Sequence, residues 1–189
     1  MHILPKSFNH AILEQFTKGL KDGGHTFEVN DLHTSEFDSI LKTQDLDQFT
    51  GGQMSQDGLS EKEKVKEADI LVFVYPVIWW GFPTILKGWF DRIISYGWAY
   101  TFIPEKGPEG FLKEKKALLI NTNLPHEKGY EALGAKDAMK KIIDDLRIKW
   151  CGISNIDHVF LYRAARINTE TRKKYLEEVS QLGKGFSDK

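Results

Sequence analysis

Residues 73–100 read FVYPVIWWGFPTILKGWFDRIISYGWAY, and this stretch decides the fold. It closes an apolar run, Ile70 to Tyr75, that lacks polar alternation, which suits a parallel strand covered on both faces. A turn rich in proline and tryptophan follows, and Pro83 then stands at a helix start, where its missing N–H costs nothing. Ile85, Leu86, Trp89, Phe90, Ile93 and Ile94 recur at helical spacing along a broad buried stripe. Trp79 and Trp80 are adjacent at the carboxyl end of the buried strand. Indoles placed there suggest a platform for a flat aromatic ligand, because their large faces stack well.

Upstream, Ser7 to Leu20 predicts a helix: Ser7 or Asn9 caps it, Ile12, Phe16 and Leu20 share a face, and Gly23-Gly24 stops it. Phe27 and Val29 alternate with polar residues as in a half-exposed strand. Residues 33–59 form a long polar connection, and Ser60 with Glu63 makes a capping-box start for a short helix through Glu67.

Downstream, Ala117 to Thr122 is a second apolar strand, and a helical pattern runs from Leu133 to Trp150, ending at Cys151-Gly152. Ile156 to Leu161 is a third strand, diluted by Asp157 and His158. A last helix carries Tyr175, Leu176, Val179 and Leu182 before Gly183. Strands alternating with helices predict a doubly wound α/β fold, a parallel sheet with helices on both faces, as one domain over 1–189. In such sheets ligands sit beyond the carboxyl ends of the strands. Residues 76–81, residues 122–130 and the extreme N-terminus would converge there.

A net charge of −1 gives no electrostatic case for nucleic acid or an anionic membrane. The single cysteine, Cys151, excludes an internal disulfide and fits a reducing, cytoplasmic compartment. No apolar run approaches the ~20 residues of a membrane helix, and the six histidines and one cysteine show no metal-ligand spacing.

The strings Pro76 to Trp80 with Pro83, Leu86-Lys87-Gly88-Trp89-Phe90-Asp91-Arg92, and Ala99-Tyr100 resemble the flavodoxin-like NAD(P)H:quinone oxidoreductases. That family includes bacterial drug-activity modulators and the ancillary oxidoreductases of glutathione-gated potassium efflux systems. His2 with Ser7-Phe8-Asn9 is similar to the family's phosphate loop, and Thr122, Asn123 and Tyr130 match positions after its fourth strand. The resemblance implies a flavin, FAD with FMN as the alternative, NADH or NADPH as hydride donor, and a quinone or similar acceptor in a two-electron ping-pong cycle.

On that resemblance, His2, Ser7, Phe8 and Asn9 hold phosphate at the mouth of the first helix, where free N–H groups and the dipole favour an anion. Ser7 serves equally as a plain N-cap. Pro76, Val77, Ile78, Trp79 and Trp80 wrap the flavin edge, with backbone N–H groups stabilising charge on the reduced ring. Trp79 and Tyr130 take part in hydride transfer, Tyr130 through its hydroxyl. Trp80, Tyr100 and Phe102 line the acceptor pocket at a homodimer interface. Lys87 pairs with Asp91, and Asp91-Arg92 reads as structural.

Three departures stand out. The family's first strand precedes the matched histidine and is missing or very short here. Leu124-Pro125 replace a Gly-Gly, and Lys136 stands where vertebrate relatives carry a histidine, with His126 nearby. Two other readings follow: a regulatory flavoprotein subunit that meets the membrane only through a potassium-efflux transporter, or a truncated member that binds no flavin.

Overall fold

A computed structural model of the chain describes residues 7–48 and 52–186. The chain runs from α1 (Phe8–Asp22) through α2 (Thr43–Asp47) and α3 (Gln56–Glu67) to strand β1 (Ile70–Pro76) and helix α4 (Thr84–Ile93). A small antiparallel hairpin follows, β2 (Tyr100–Ile103) against β3 (Gly107–Gly110). Then come β4 (Lys116–Thr122), α5 (Glu127–Ala132), α6 (Ala135–Lys140), β5 (Asn155–Leu161) and α7 (Thr169–Lys184). Beyond α6 the helix widens to π-type bonding over Lys141–Ile148 and ends in a tight turn at Lys149–Cys151.

Strands β1, β4 and β5 form one parallel sheet with β4 in the middle. The register sets Pro76 beside Thr122 and Thr122 beside Leu161, so the three carboxyl ends finish level. β4 is apolar without alternation because both faces are covered. Leu118 and Ile120 pack with Ile12 and Phe16 of α1 and Val179 of α7. Ala117 and Leu119 pack with Trp89 and Phe90 of α4 and with Met139 and Ile143. This is the doubly wound α/β arrangement the alternation predicted.

Several local expectations are corrected. Residues 25–32, expected as a strand, make no ladder, and among the described residues no strand lies along the free edge of β1. Phe27 and Val29 are both exposed, at 38% and 46%, so the alternation buries no face, and a strand also needs a neighbour to bond. Helix α3 starts at Gln56, ahead of the Ser60–Glu63 box. Gly183 lies inside α7 rather than after it, because a Cβ there would come within 2.4 Å of the Phe16 carbonyl oxygen. Close contact between α1 and α7 requires the glycine. The hairpin over 100–110 was not anticipated.

Among the described residues no helix is long and apolar enough to cross a membrane.

Candidate functional site

The turn after β1 is built in two steps. Val77 N–H donates to the Thr122 carbonyl at 2.9 Å, extending the pairing with β4 by one residue. Ile78 and Gly81 then exchange two backbone hydrogen bonds of 3.1 Å, leaving Trp79 and Trp80 at the centre of a two-residue turn. Both have positive φ, 46° and 62°. That geometry normally selects Asn-Gly, since L side chains clash there. Each bulky residue so held costs about 1–3 kcal/mol, strain that persists only when the surroundings impose it.

What the strain achieves is display. Trp79 is 92% exposed and Trp80 43%, so Trp79 is no core residue. The Trp80 ring rests on Tyr130 with centroids 5.3 Å apart. The N–H groups expected to face a ligand are fewer than the sequence suggested: those of Val77 and Ile78 are spent within the fold. Among the described residues no backbone acceptor takes those of Trp79 and Trp80.

The mouth of α1 comes to the same end of the sheet. Ser7 caps the helix by accepting from His10 N–H at 3.4 Å, leaving the first-turn N–H groups of Phe8 and Asn9 free of helical partners. Asn9 does not cap. Its buried amide donates to Thr122 Oγ at 3.1 Å, pinning α1 to the carboxyl end of β4. His2 lies outside the described residues.

Thr122, Asn123 and Tyr130 come together here but point inward. Asn123 is buried, with its amide donating to Asn121 Oδ1 at 2.6 Å. The Tyr130 hydroxyl donates to Asn123 Oδ1, and burial pushes its pKa up to about 12. The sequence assigns this hydroxyl to a bound ring; in this structure it is turned to Asn123.

Tyr100 and Phe102 are not drawn into this group. Tyr100 is half-buried with Tyr96 and Trp150 as ring neighbours, and Phe102 is exposed on the hairpin. His126 is the N-cap of α5, its Nδ1 accepting from Gly129 N–H at 3.1 Å. Lys136 lies over the Phe160 ring. Leu124 is solvent-exposed, and the Pro125 carbonyl takes Arg163 N–H at 3.1 Å.

Sequence reasoning missed a cleft of about 370 Å³ beyond β5, lined by Glu127, Tyr162, Arg163, Arg166 and Asn168 among others. The buried Tyr162 hydroxyl there finds no partner among the described residues. Arg172 of α7 lies over the Phe8 ring at 4.8 Å, joining this side to the α1 mouth. The available signal was the pair Arg163 and Arg166 immediately after the last strand. No group of three His, Cys, Asp or Glu among the described residues could hold a metal.

The fold as a whole has close parallels. The family model for the flavodoxin-like fold matches residues 1–183. An NAD(P)H:quinone oxidoreductase from Methanothermobacter marburgensis superposes with a TM-score of 0.88 at 30% identity, over 98% of this chain and 94% of that one. The chain belongs to the flavodoxin-like family of NAD(P)H:quinone oxidoreductases. It is 29% identical to NAD(P)H dehydrogenase [quinone] 1 of Cavia porcellus over 93% of this chain and 70% of that protein. It is also 29% identical to an NAD(P)H oxidoreductase of Haemophilus influenzae, over 93% of this chain and 87% of that protein. Within the family, then, the exposed tryptophan turn and the α1 mouth are the features to explain.

Proposed function

We propose that the chain is a flavin-dependent NAD(P)H:quinone oxidoreductase of the cytoplasm, reducing a quinone or another flat acceptor. The observation that carries this reading is the turn itself: two tryptophans forced into positive φ and held open at the carboxyl end of β1, beside the mouth of α1. A fold keeps such strain where a ligand uses it.

The residues present fit a flavin. The α1 N–H groups suit a phosphate, and Trp79 with Trp80 offers stacking area with two N–H donors beside it. The chemistry a bound flavin supplies is two-electron transfer, from NAD(P)H in one half-reaction to the acceptor in the next. The chain's own part is to bind and orient. Helix α1 grips the anionic end, Asn9 fixes that helix to β4, and the Trp79 indole walls the place where donor and acceptor stack in turn.

Arg163, Arg166 and the unpartnered Tyr162 hydroxyl favour FAD over FMN, because they extend the polar site well beyond one phosphate. Exposed Ile78 and Phe102 support a homodimer whose partner covers them.

The test is absorbance. Purified protein incubated with FAD or FMN should turn yellow, bleach with NADH or NADPH, and recolour with a quinone. Protein that stays colourless with both flavins ends the proposal. R163Q/R166Q should weaken FAD binding while sparing FMN, and equal losses would overturn the choice of FAD.

A further inference from the structure

Behind the turn runs a line of buried polar side chains that the proposed function does not use. His158 of β5 is closed off from solvent, with Nδ1 2.7 Å from Asp144 Oδ1. Asp144 Oδ2 in turn accepts from Lys140 Nζ at 2.8 Å. Across the ring, His158 Nε2 lies 2.5 Å from Asn121 Nδ2 and 3.4 Å from the Tyr75 hydroxyl. Asn121 Oδ1 accepts from Asn123, Asn123 Oδ1 accepts from Tyr130, and Tyr130 carries the Trp80 ring.

Donor and acceptor chemistry gives this line a single direction. An ionised Asp144 only accepts, so Nδ1 of His158 carries the proton and Nε2 is bare. Bare Nε2 takes the Asn121 amide N–H, which turns the Asn121 oxygen toward Asn123. The Asn123 oxygen is then turned toward Tyr130. Reversing any one member sets two donors or two acceptors face to face, and in a buried network an unpaired group is costly.

We propose that Asp144 and His158 are positioning residues for the aromatic wall: they fix the direction of the chain that holds Tyr130 and, through it, Trp80, and protonation of His158 reverses that chain. The chain itself needs no cofactor, and its bearing on turnover rests on the reading above, in which Trp80 borders the acceptor site.

The groups that face His158 come from several elements. Asp144 and Lys140 lie on the helix before β5, with Lys136 on the same side; Tyr75 reaches in from β1 with Arg147 near it, and Phe160 stacks on the ring at 4.2 Å. Burial holds the imidazole below its ordinary pKa; Asp144 opposes this, and Lys140 and Lys136 reinforce it. His158 is thus neutral at pH 7. Once protonated, Nε2–H meets the Asn121 N–H, and that amide has to turn. The turned amide displaces the Asn123 amide in the same way, and Tyr130 loses the acceptor for its proton.

The test uses flavin-free protein labelled with fluorotryptophan, the Trp80 resonance being the one absent in Trp80→Phe. Fluorine NMR and the His158 ring signals are followed across the imidazole range, roughly pH 8 to 4.5. The expected result is a Trp80 resonance that shifts with the same midpoint as His158. In Tyr130→Phe, which removes the hydroxyl and keeps the ring, His158 should still titrate while Trp80 no longer follows. A Trp80 resonance that stays put, or that tracks His158 unchanged in Tyr130→Phe, overturns the proposal. Should that variant not fold, differing midpoints in the unaltered protein overturn it alone. Because no flavin is present, failure here and failure to bind flavin are separate results.

Discussion

The Arg92 guanidinium holds both carboxylate oxygens of Asp45, at 2.8 and 3.3 Å, with both side chains shut off from solvent. Asp57 adds bonds of 2.8 and 3.1 Å, Ser55 one of 3.1 Å and the Asp38 carbonyl one of 2.5 Å. Burial works against the charge on Arg92, yet Asp57 and Asp45 hold its pKa above the ordinary value. One side chain on α4 thereby fastens much of the polar connection between residues 38 and 57. Arg92→Leu would strand the Asp45 carboxylate, and breaking such a buried pair costs about 3–5 kcal/mol. The loss should appear as a lower urea midpoint. Arg92→Lys should recover little of it, since an ammonium cannot reproduce the fork; full recovery with lysine would refute the bidentate account.

Stability should fall in acid in two stages. His158 has a folded pKa below its unfolded one, so below about pH 6.5 the unfolded chain takes up a proton that the folded chain does not, and stability drops. Asp57 is held down to about 2 by its hydrogen bonds to Arg92, so its contribution, present above the unfolded carboxylate range, is lost as pH falls from about 4 through that value. Urea midpoints at pH 7, 5.5 and 3 should show both stages, and His158→Gln should flatten the first. A first stage of unchanged size in that variant would assign it to another group.

Much of this was legible in the sequence, and the reasons for the rest are specific. The run from Ile70 to Ile94 announced strand, turn and helix because its apolar spacing changes from continuous to helical at Pro83. Lys87 and Asp91 pair as their spacing required, at 2.5 Å. The positive φ at both tryptophans was hidden, because neither residue type signals such a turn. Asp157-His158 read as a dilution of a strand, when His158 is the buried partner of Asp144. Arg92 and Asp45 are 47 positions apart. Only the folded chain shows that such residues meet. Residues 25–32 mark the opposite case, where a local alternation predicted a half-exposed strand and the described residues show neither a buried face nor a paired strand.

The α1–α7 contact should be intolerant of one methyl group. A Cβ at Gly19 would fall 2.1 Å from the Ser180 carbonyl oxygen, and one at Gly183 2.4 Å from that of Phe16. Alanine is the better helix former by roughly 0.5–1 kcal/mol, but overpacking costs about 1–3 kcal/mol, so the clash wins. Gly19→Ala and Gly183→Ala should each lower Tm. Gly185→Ala, whose Cβ would meet the Gln181 carbonyl oxygen at 3.4 Å, should be close to neutral. Because α1 carries the candidate phosphate site at its other end, the two destabilised variants should also bind flavin more weakly. Unaltered Tm in both would mean that the helices have room to part.

Trp79→Gly should make the protein more stable and the enzyme worse. Trp79 is 92% exposed, so its removal forfeits little packing. Glycine accepts φ 46° freely, and relief of strain is worth about 1–3 kcal/mol. Against this stands the added freedom of glycine in the unfolded chain, about 0.4–1 kcal/mol. Strain relief is the larger effect, and Tm should rise. The indole's stacking on a flat acceptor, about 0.5–1.5 kcal/mol, is lost. The quinone KM should therefore rise about 2- to 10-fold, at 1.4 kcal/mol for each factor of ten. Trp79→Phe should keep the strain and part of the stacking, placing it between the two on KM and near the parent on Tm. A glycine variant that melts lower than the parent would show that the turn is not strained, and one with an unchanged KM would remove Trp79 from the acceptor site.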